Sequence, residues 1–110
     1  MSDYKNSKIY FLLNNITNEI FYIGSTIRPL QKRFKEHQKR SMDQKYKEYH
    51  HKKYKYMRKY GISNISIYLL EECDCHCKYE LLYREHHWIR LLKPSCNVIK
   101  SVEDELYYLY

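Results

Sequence analysis

Two short runs, residues 8–13 and 19–23, are rich in β-branched and aromatic side chains, and the polar stretch Asn14-Asn15-Ile16-Thr17-Asn18 separates them. This pattern predicts a β-hairpin, because Asn tolerates the left-handed backbone of a tight turn and its side chain bonds its own backbone. Tyr10 and Tyr22 fall within the two runs, and the second closes on Gly24-Ser25-Thr26. A glycine there suits a sharp turn or a close approach to the backbone.

Beyond the hairpin the period changes. Residues 28–40 carry Leu30, Phe34 and His37 at helical spacing, with Pro29 placed in the first turn, where a missing N–H costs nothing. Arg33 and His37, four apart, share one face of that helix. Residues 41–47 read as a polar loop. A second helix runs to about Tyr60 and stops at Gly61, with Tyr49, Tyr56, Met57 and Tyr60 as a broad stripe, read as core rather than as a base-stacking platform. Alternation of Ile65, Ile67 and Leu69 with Asn64, Ser66 and Tyr68 predicts a third strand over 62–70, ended by Glu71 and Glu72. Residues 73–77, Cys-Asp-Cys-His-Cys, predict a strand-to-helix turn in which Asp74 or a neighbour caps the next helix. The third helix spans 78–92 with an apolar stripe of Leu81, Leu82, Trp88, Ile89 and Leu92, and Glu85 falls inside the stripe. A carboxylate in such a place is costly unless it is paired, protonated, bound to a cation or able to reach water. The tail, 101–110, has a helical look of its own.

The fold class expected is α+β: a small three-stranded antiparallel sheet flanked by three helices in the order β-β-α-α-β-α, plus a C-terminal helical tail. One domain is expected over 1–100 and the tail over 101–110, with no separate sequence-reading domain within 110 residues. The net charge is +7. It is concentrated between Arg28 and Lys59, where thirteen basic residues face three acidic ones. Such a block suggests a polyanion partner, nucleic acid first, against the alternative of a solvated helical face. No run is long and apolar enough to span a membrane and no signal-peptide pattern opens the chain, so it is expected to be soluble and intracellular, with its four cysteines reduced.

Lys8-Ile9-Tyr10 followed by Tyr22-Ile23-Gly24 resembles the paired signature of the GIY-YIG nuclease family, with Lys8 where the family usually has Gly. Further on, Arg33 and His37 resemble the Arg and His of the family's first helix. Glu85, Trp88-Ile89, Lys93-Pro94 and Asn97 resemble its last block. The parts occur in the family's order over residues 8 to about 99. His50 and His51 stand near where some relatives carry a further His, in a loop of different length.

The resemblance implies hydrolysis of a DNA strand at a single-metal site, leaving a 5′-phosphate and a 3′-hydroxyl. Its catalytic set is Tyr10, Tyr22, Arg33, His37, Glu85 and Asn97. Glu85 is the expected ligand of one Mg²⁺ or Mn²⁺, Arg33 a phosphate clamp, and Asn97 an ordering residue. One of the two tyrosines, Tyr10 in preference to Tyr22, acts as or through the general base. A phenol with a pKa of about 10 needs a depressed pKa or a neighbour to take its proton onward, and Lys8 and His37 are both candidates. His37 is equally compatible with a packing role. Gly24, Ser25, Thr26, Arg28, Lys32, Arg40, Lys52 and Lys53 are the expected DNA-binding positions, offering phosphate affinity without sequence readout. The expected partners are therefore DNA and, for specificity, a second copy of the chain or a targeting protein. A structure-specific repair or recombination nuclease is a narrower variant of the same reading. Two other classes stay open: an inactive nucleic-acid-binding module, and a zinc-stabilised interaction domain built on the Cys73, Cys75, His76 and Cys77 cluster.

Overall fold

A computed structural model describes residues 3–97. The expected tail falls outside the described residues. Strand β1 (Ser7–Asn14) is central, with β2 (Glu19–Thr26) on one side and β3 (Ile65–Cys73) on the other, both antiparallel to it. Three helices, α1 (Leu30–Met42), α2 (Lys52–Tyr60) and α3 (Lys78–Leu92), complete the expected β-β-α-α-β-α order. Asn18 takes the left-handed conformation in the hairpin turn (φ 61°), and Gly61 ends α2 at φ 93°.

Helices α1 and α2 cover one sheet face and α3 covers the other. Between the first pair and the sheet lie Tyr10, Leu12, Phe21, Tyr54, Met57 and Ile65, with Leu30 and Phe34 packed against them. Under α3 lie Ile9, Ile23, Cys73, Cys75 and Leu81, with Trp88 and Ile89 against them. Two bulges adjust which side chain joins which layer. On β2 the pairing steps from Leu12↔Tyr22 to Leu13↔Ile20, leaving Phe21 extra. Phe21 thereby joins the α1–α2 layer, while Ile23, two residues on, faces α3. On β3 the step from Ile9↔Glu71 to Tyr10↔Leu69 leaves Leu70 extra.

The second bulge reverses the alternation after Leu70, which puts Glu71, opposite Ile9, and Cys73 on the α3 side together with Leu70. Leu70 packs in the α3 layer and Leu69 is exposed. Other boundaries move as well. Strand β2 continues through Gly24-Ser25-Thr26, residues Ile62–Asn64 form a 3₁₀ turn, and Glu71 and Glu72 lie within β3 rather than ending it. Pro29 is the N-cap of α1. In α2 the buried pair is Tyr54 and Met57; Tyr56 is half-buried and stacks on Phe21. In α3 Leu92 is exposed. Its N-cap is Cys77, not Asp74, with no side-chain cap bond. The Glu80 carboxylate accepts the His76 N–H instead.

Glu71 is retained in β3 because it anchors α3. Its carboxylate accepts Arg84 Nε at 3.0 Å, Arg84 Nη2 at 2.6 Å and Trp88 Nε1 at 2.7 Å. The Arg84 hydrogen bonds hold its pKa at about 2, well below the usual 4.5. A depressed carboxylate contributes stability that is complete above the unfolded value and lost as pH falls through the folded one. Melting temperature is therefore expected to drop between about pH 4.5 and pH 2. Glu71→Gln should lower the melting temperature at pH 7 and flatten that acid limb. An unchanged acid limb in the variant would show that the anchor lies elsewhere.

Candidate active site

Tyr10 sits mid-strand in β1, fully buried, directly across from Gly24 of β2. Its ring lies over that glycine: a Cβ at position 24 would stand 2.4 Å from Tyr10 Oη and 2.5 Å from Cζ. Gly24 is thus explained by close approach and not by a turn. Tyr22 pairs with Leu12, two residues along β1 from Tyr10, so both phenols project from the sheet face that α1 and α2 cover.

Helix α1 brings Arg33 and His37, one turn apart, onto the Tyr10 hydroxyl. His37 Nε2 lies 2.6 Å from Tyr10 Oη, and Arg33 Nε donates to the same oxygen at 3.3 Å. The imidazole is fully buried, and its Nδ1 lies 2.9 Å from Tyr54 Oη on α2. His37 is therefore a core residue that also meets the Tyr10 hydroxyl. Lys8 does not take the role of proton partner, because its ammonium donates to the Asn6 carbonyl.

Helix α3 supplies Glu85 from the other side of the β2 edge, and Ser25 Oγ donates to Glu85 Oε1 at 2.8 Å. After α3 the chain returns to β2. Cys96 N donates to the Phe21 carbonyl at 2.8 Å. The Asn97 amide accepts from Ile23 N and donates to Ile23 O, both at 2.8 Å. One side chain thus imitates a strand neighbour, closing the β2 edge and fixing the strand that carries Tyr22. Along this edge runs a groove of about 280 Å³, whose lining includes Tyr22, His51, Lys52, Lys53, Glu85 and Asn97. Lys53 Nζ stands 3.5 Å from Tyr22 Oη and over the rings of Tyr22 (4.7 Å) and Tyr54 (5.0 Å).

Burial sets the charge states. It raises the pKa of both phenols above 10, partly offset at Tyr10 by the Arg33 charge and reinforced at Tyr22 by Tyr10 and Glu85. Burial, then the charges of Arg33, Lys53 and Arg40, lower His37 to about 2. Burial also lowers Lys53. At neutral pH the centre is two phenols and an uncharged imidazole beside a guanidinium.

Among the described residues no group of three or more His, Cys, Asp or Glu side chains is placed to hold a metal ion together. The zinc-stabilised alternative loses its basis: Cys73 and Cys75 are buried in the α3 layer and Cys77 is exposed. A hard cation that keeps most of its waters makes a smaller demand. Glu85, a carboxylate at a groove open to solvent, fits that donor chemistry.

The expected DNA-binding positions divide. Lys32 and Lys52 are exposed, and Arg28 is exposed while paired with Glu36. Arg40 is held between Glu36 (3.5 Å) and Glu48 (3.2 Å). Lys53 lines the groove, Ser25 bonds the groove residue Glu85, and Gly24 and Thr26 are buried. The sequence reading passed over Tyr54, and it left His51 unplaced. The signal for Tyr54 is its i, i+3 spacing to Met57 on α2.

The chain matches the family model of the GIY-YIG catalytic domain over residues 6–100. It is 33% identical over 94 residues to "Uncharacterized protein 019R" of Invertebrate iridescent virus 6, covering 86% of this chain and 32% of that protein. It is 33% identical over 82 residues to "Putative MSV199 domain-containing protein 146R" of the same virus, covering 74% and 31%. The chain thus spans about a third of the length of these curated relatives. Among solved structures it is similar to the catalytic domain of the homing endonuclease I-TevI, with TM-score 0.68 and 26% identity over 86% of this chain and 99% of that one.

Proposed function

The chain belongs to the GIY-YIG family, and from that premise we propose that it is an endonuclease that hydrolyses DNA phosphodiesters at the groove along the β2 edge. The observation that carries this reading is the convergence of His37 Nε2 and Arg33 Nε on the hydroxyl of Tyr10. A phenol oxygen so held is oriented for proton transfer, beside a cation that cannot be deprotonated.

In this reading Glu85 would hold a single Mg²⁺ or Mn²⁺, which would supply Lewis-acid neutralisation of phosphate charge. The remaining work falls to side chains. Arg33 clamps a phosphate oxygen beside Tyr10. Tyr10 accepts the proton of the attacking water as its own proton passes to His37 Nε2. The free site resists that transfer because burial, and then three neighbouring cations, oppose an imidazolium. An entering phosphodiester brings negative charge to those same cations and weakens their opposition. Tyr22, with Lys53 at its hydroxyl, contacts the phosphate from the second strand. Asn97 positions by clasping Ile23. The exposed cations Arg28, Lys32 and Lys52 add phosphate affinity without sequence discrimination. A second copy or a targeting partner supplies that discrimination.

The test is conversion of supercoiled plasmid to open circles by the native chain with Mg²⁺, with Mn²⁺ and with chelator. Nicking that requires the cation and leaves 5′-phosphate ends is the expected result. DNA binding without cleavage of supercoiled, linear or branched substrates would instead assign the inactive binding module.

A further inference from the structure

A phenylalanine would fill the space of Tyr54 as well as a tyrosine does, yet the position carries a hydroxyl in the core. Tyr54 is fully buried, and its oxygen lies 2.9 Å from His37 Nδ1. The neutral imidazole has one N–H for its two nitrogens, so one flanking phenol donates to it and the other accepts from it. The two lengths favour one arrangement. The 2.9 Å contact has the usual length of an N–H···O bond, whereas the 2.6 Å contact between His37 Nε2 and Tyr10 is shorter than N–H donors make and suits an O–H donor.

We propose that Tyr54 is a positioning residue: its oxygen accepts the Nδ1–H of His37 and so holds the imidazole in the tautomer whose Nε2 lone pair faces the Tyr10 hydroxyl. The role in cleavage rests on the nuclease reading; the tautomer does not. Turned the other way, with Nε2 protonated, the imidazole would have no lone pair for the Tyr10 proton, and the site would keep its shape while losing its proton acceptor.

Imidazole-¹⁵N labelling and long-range ¹H–¹⁵N correlation at pH 7 test the assignment in the native chain. The expected spectrum shows His37 neutral, protonated at Nδ1 and bare at Nε2. In Tyr54→Phe, which retains the ring, signal from the Nε2–H tautomer should appear. Plasmid nicking kcat should fall by about 10–100-fold with KM for DNA near native, the range found when a partner that orients a reacting group is removed. A native spectrum of the Nε2–H tautomer overturns the proposal, as does a Tyr54→Phe variant with unchanged kcat. If the variant does not fold, the native spectrum still decides the tautomer. If the native chain nicks no DNA, the nuclease reading fails while that spectrum supports or overturns the tautomer by itself.

Discussion

Glu85→Gln is expected to lower metal-dependent nicking by about 10³-fold or more while leaving DNA binding in the absence of divalent cation intact or slightly stronger. The substitution preserves shape and the contact with Ser25 Oγ, since an amide oxygen can accept the bond that Oε1 accepts now. It removes the negative charge. A cation's stabilisation of a transferring phosphoryl group amounts to several kcal/mol, and about 1.4 kcal/mol corresponds to each tenfold in rate. On the proposed reading, losing the residue that would hold the cation should therefore cost three decades. Binding of the polyanion moves the opposite way, because one acidic group leaves a groove lined by Lys52 and Lys53. Plasmid nicking and fluorescence anisotropy, measured on the same preparation, separate the two effects. Retained nicking in Glu85→Gln would remove Glu85 from the site. Loss of binding together with nicking would point to a folding defect instead.

Gly24→Ala should be severely damaging for a single added methyl. The added Cβ meets Tyr10 Oη at 2.4 Å and Cζ at 2.5 Å, inside any real carbon contact. The Tyr10 ring cannot swing aside, because it is buried and its oxygen is engaged by His37 and Arg33. Overpacking of this kind costs about 1–3 kcal/mol. Separating Tyr10 from His37 adds the cost of a broken buried hydrogen bond, about 1–3 kcal/mol more. In a domain of this size the sum corresponds to a fall in melting temperature of roughly 10–25 °C. Nicking should be lost with it, since any relief of the clash displaces the hydroxyl. Thermal melts of Gly24→Ala in the native and Tyr10→Ala backgrounds isolate the clash: with the ring gone, the same methyl should cost far less. Equal losses in both backgrounds would mean that position 24 is sensitive for some other reason.

Lys8 illustrates how a residue is read differently in one dimension and in three. Alternation along β1 places it on the Tyr10 side of the strand, and from the sequence it competes with His37 as a proton partner. The backbone of the preceding 3₁₀ turn (Asp3–Asn6) offers the Asn6 carbonyl nearer to hand, and the ammonium goes there. The position where family and chain differ is thereby separated from the Tyr10 hydroxyl. Leu69 shows the same limit. Strict alternation makes it core, and its register opposite Tyr10 keeps it on the α1–α2 face, yet it is exposed, while one extra residue in β3 turns Glu71 and Cys73 onto the α3 face. A bulge has no distinctive residue here to announce it.

Local chemistry, by contrast, was legible wherever it depends on near neighbours in sequence. The Asn-rich turn, Gly61 at the end of α2 and the order of strands and helices follow from turn geometry and hydrophobic period, both local properties of the chain. Spacing of four residues put Arg33 and His37 on one face, and the paired Tyr-containing strands with a later Glu and Asn were enough to suggest the family. What only the tertiary structure decided is which of these groups touch. Tyr54 and His37 are seventeen residues apart and Asn97 and Ile23 seventy-four. Contacts at such separations leave no period in the sequence. Burial then sets what the groups can do: it keeps Tyr10 a phenol and His37 uncharged, because desolvation penalises the charged form of each. The residue types capable of the chemistry are written along the chain, and their protonation states and partners arise only when the sheet and α1 close over them.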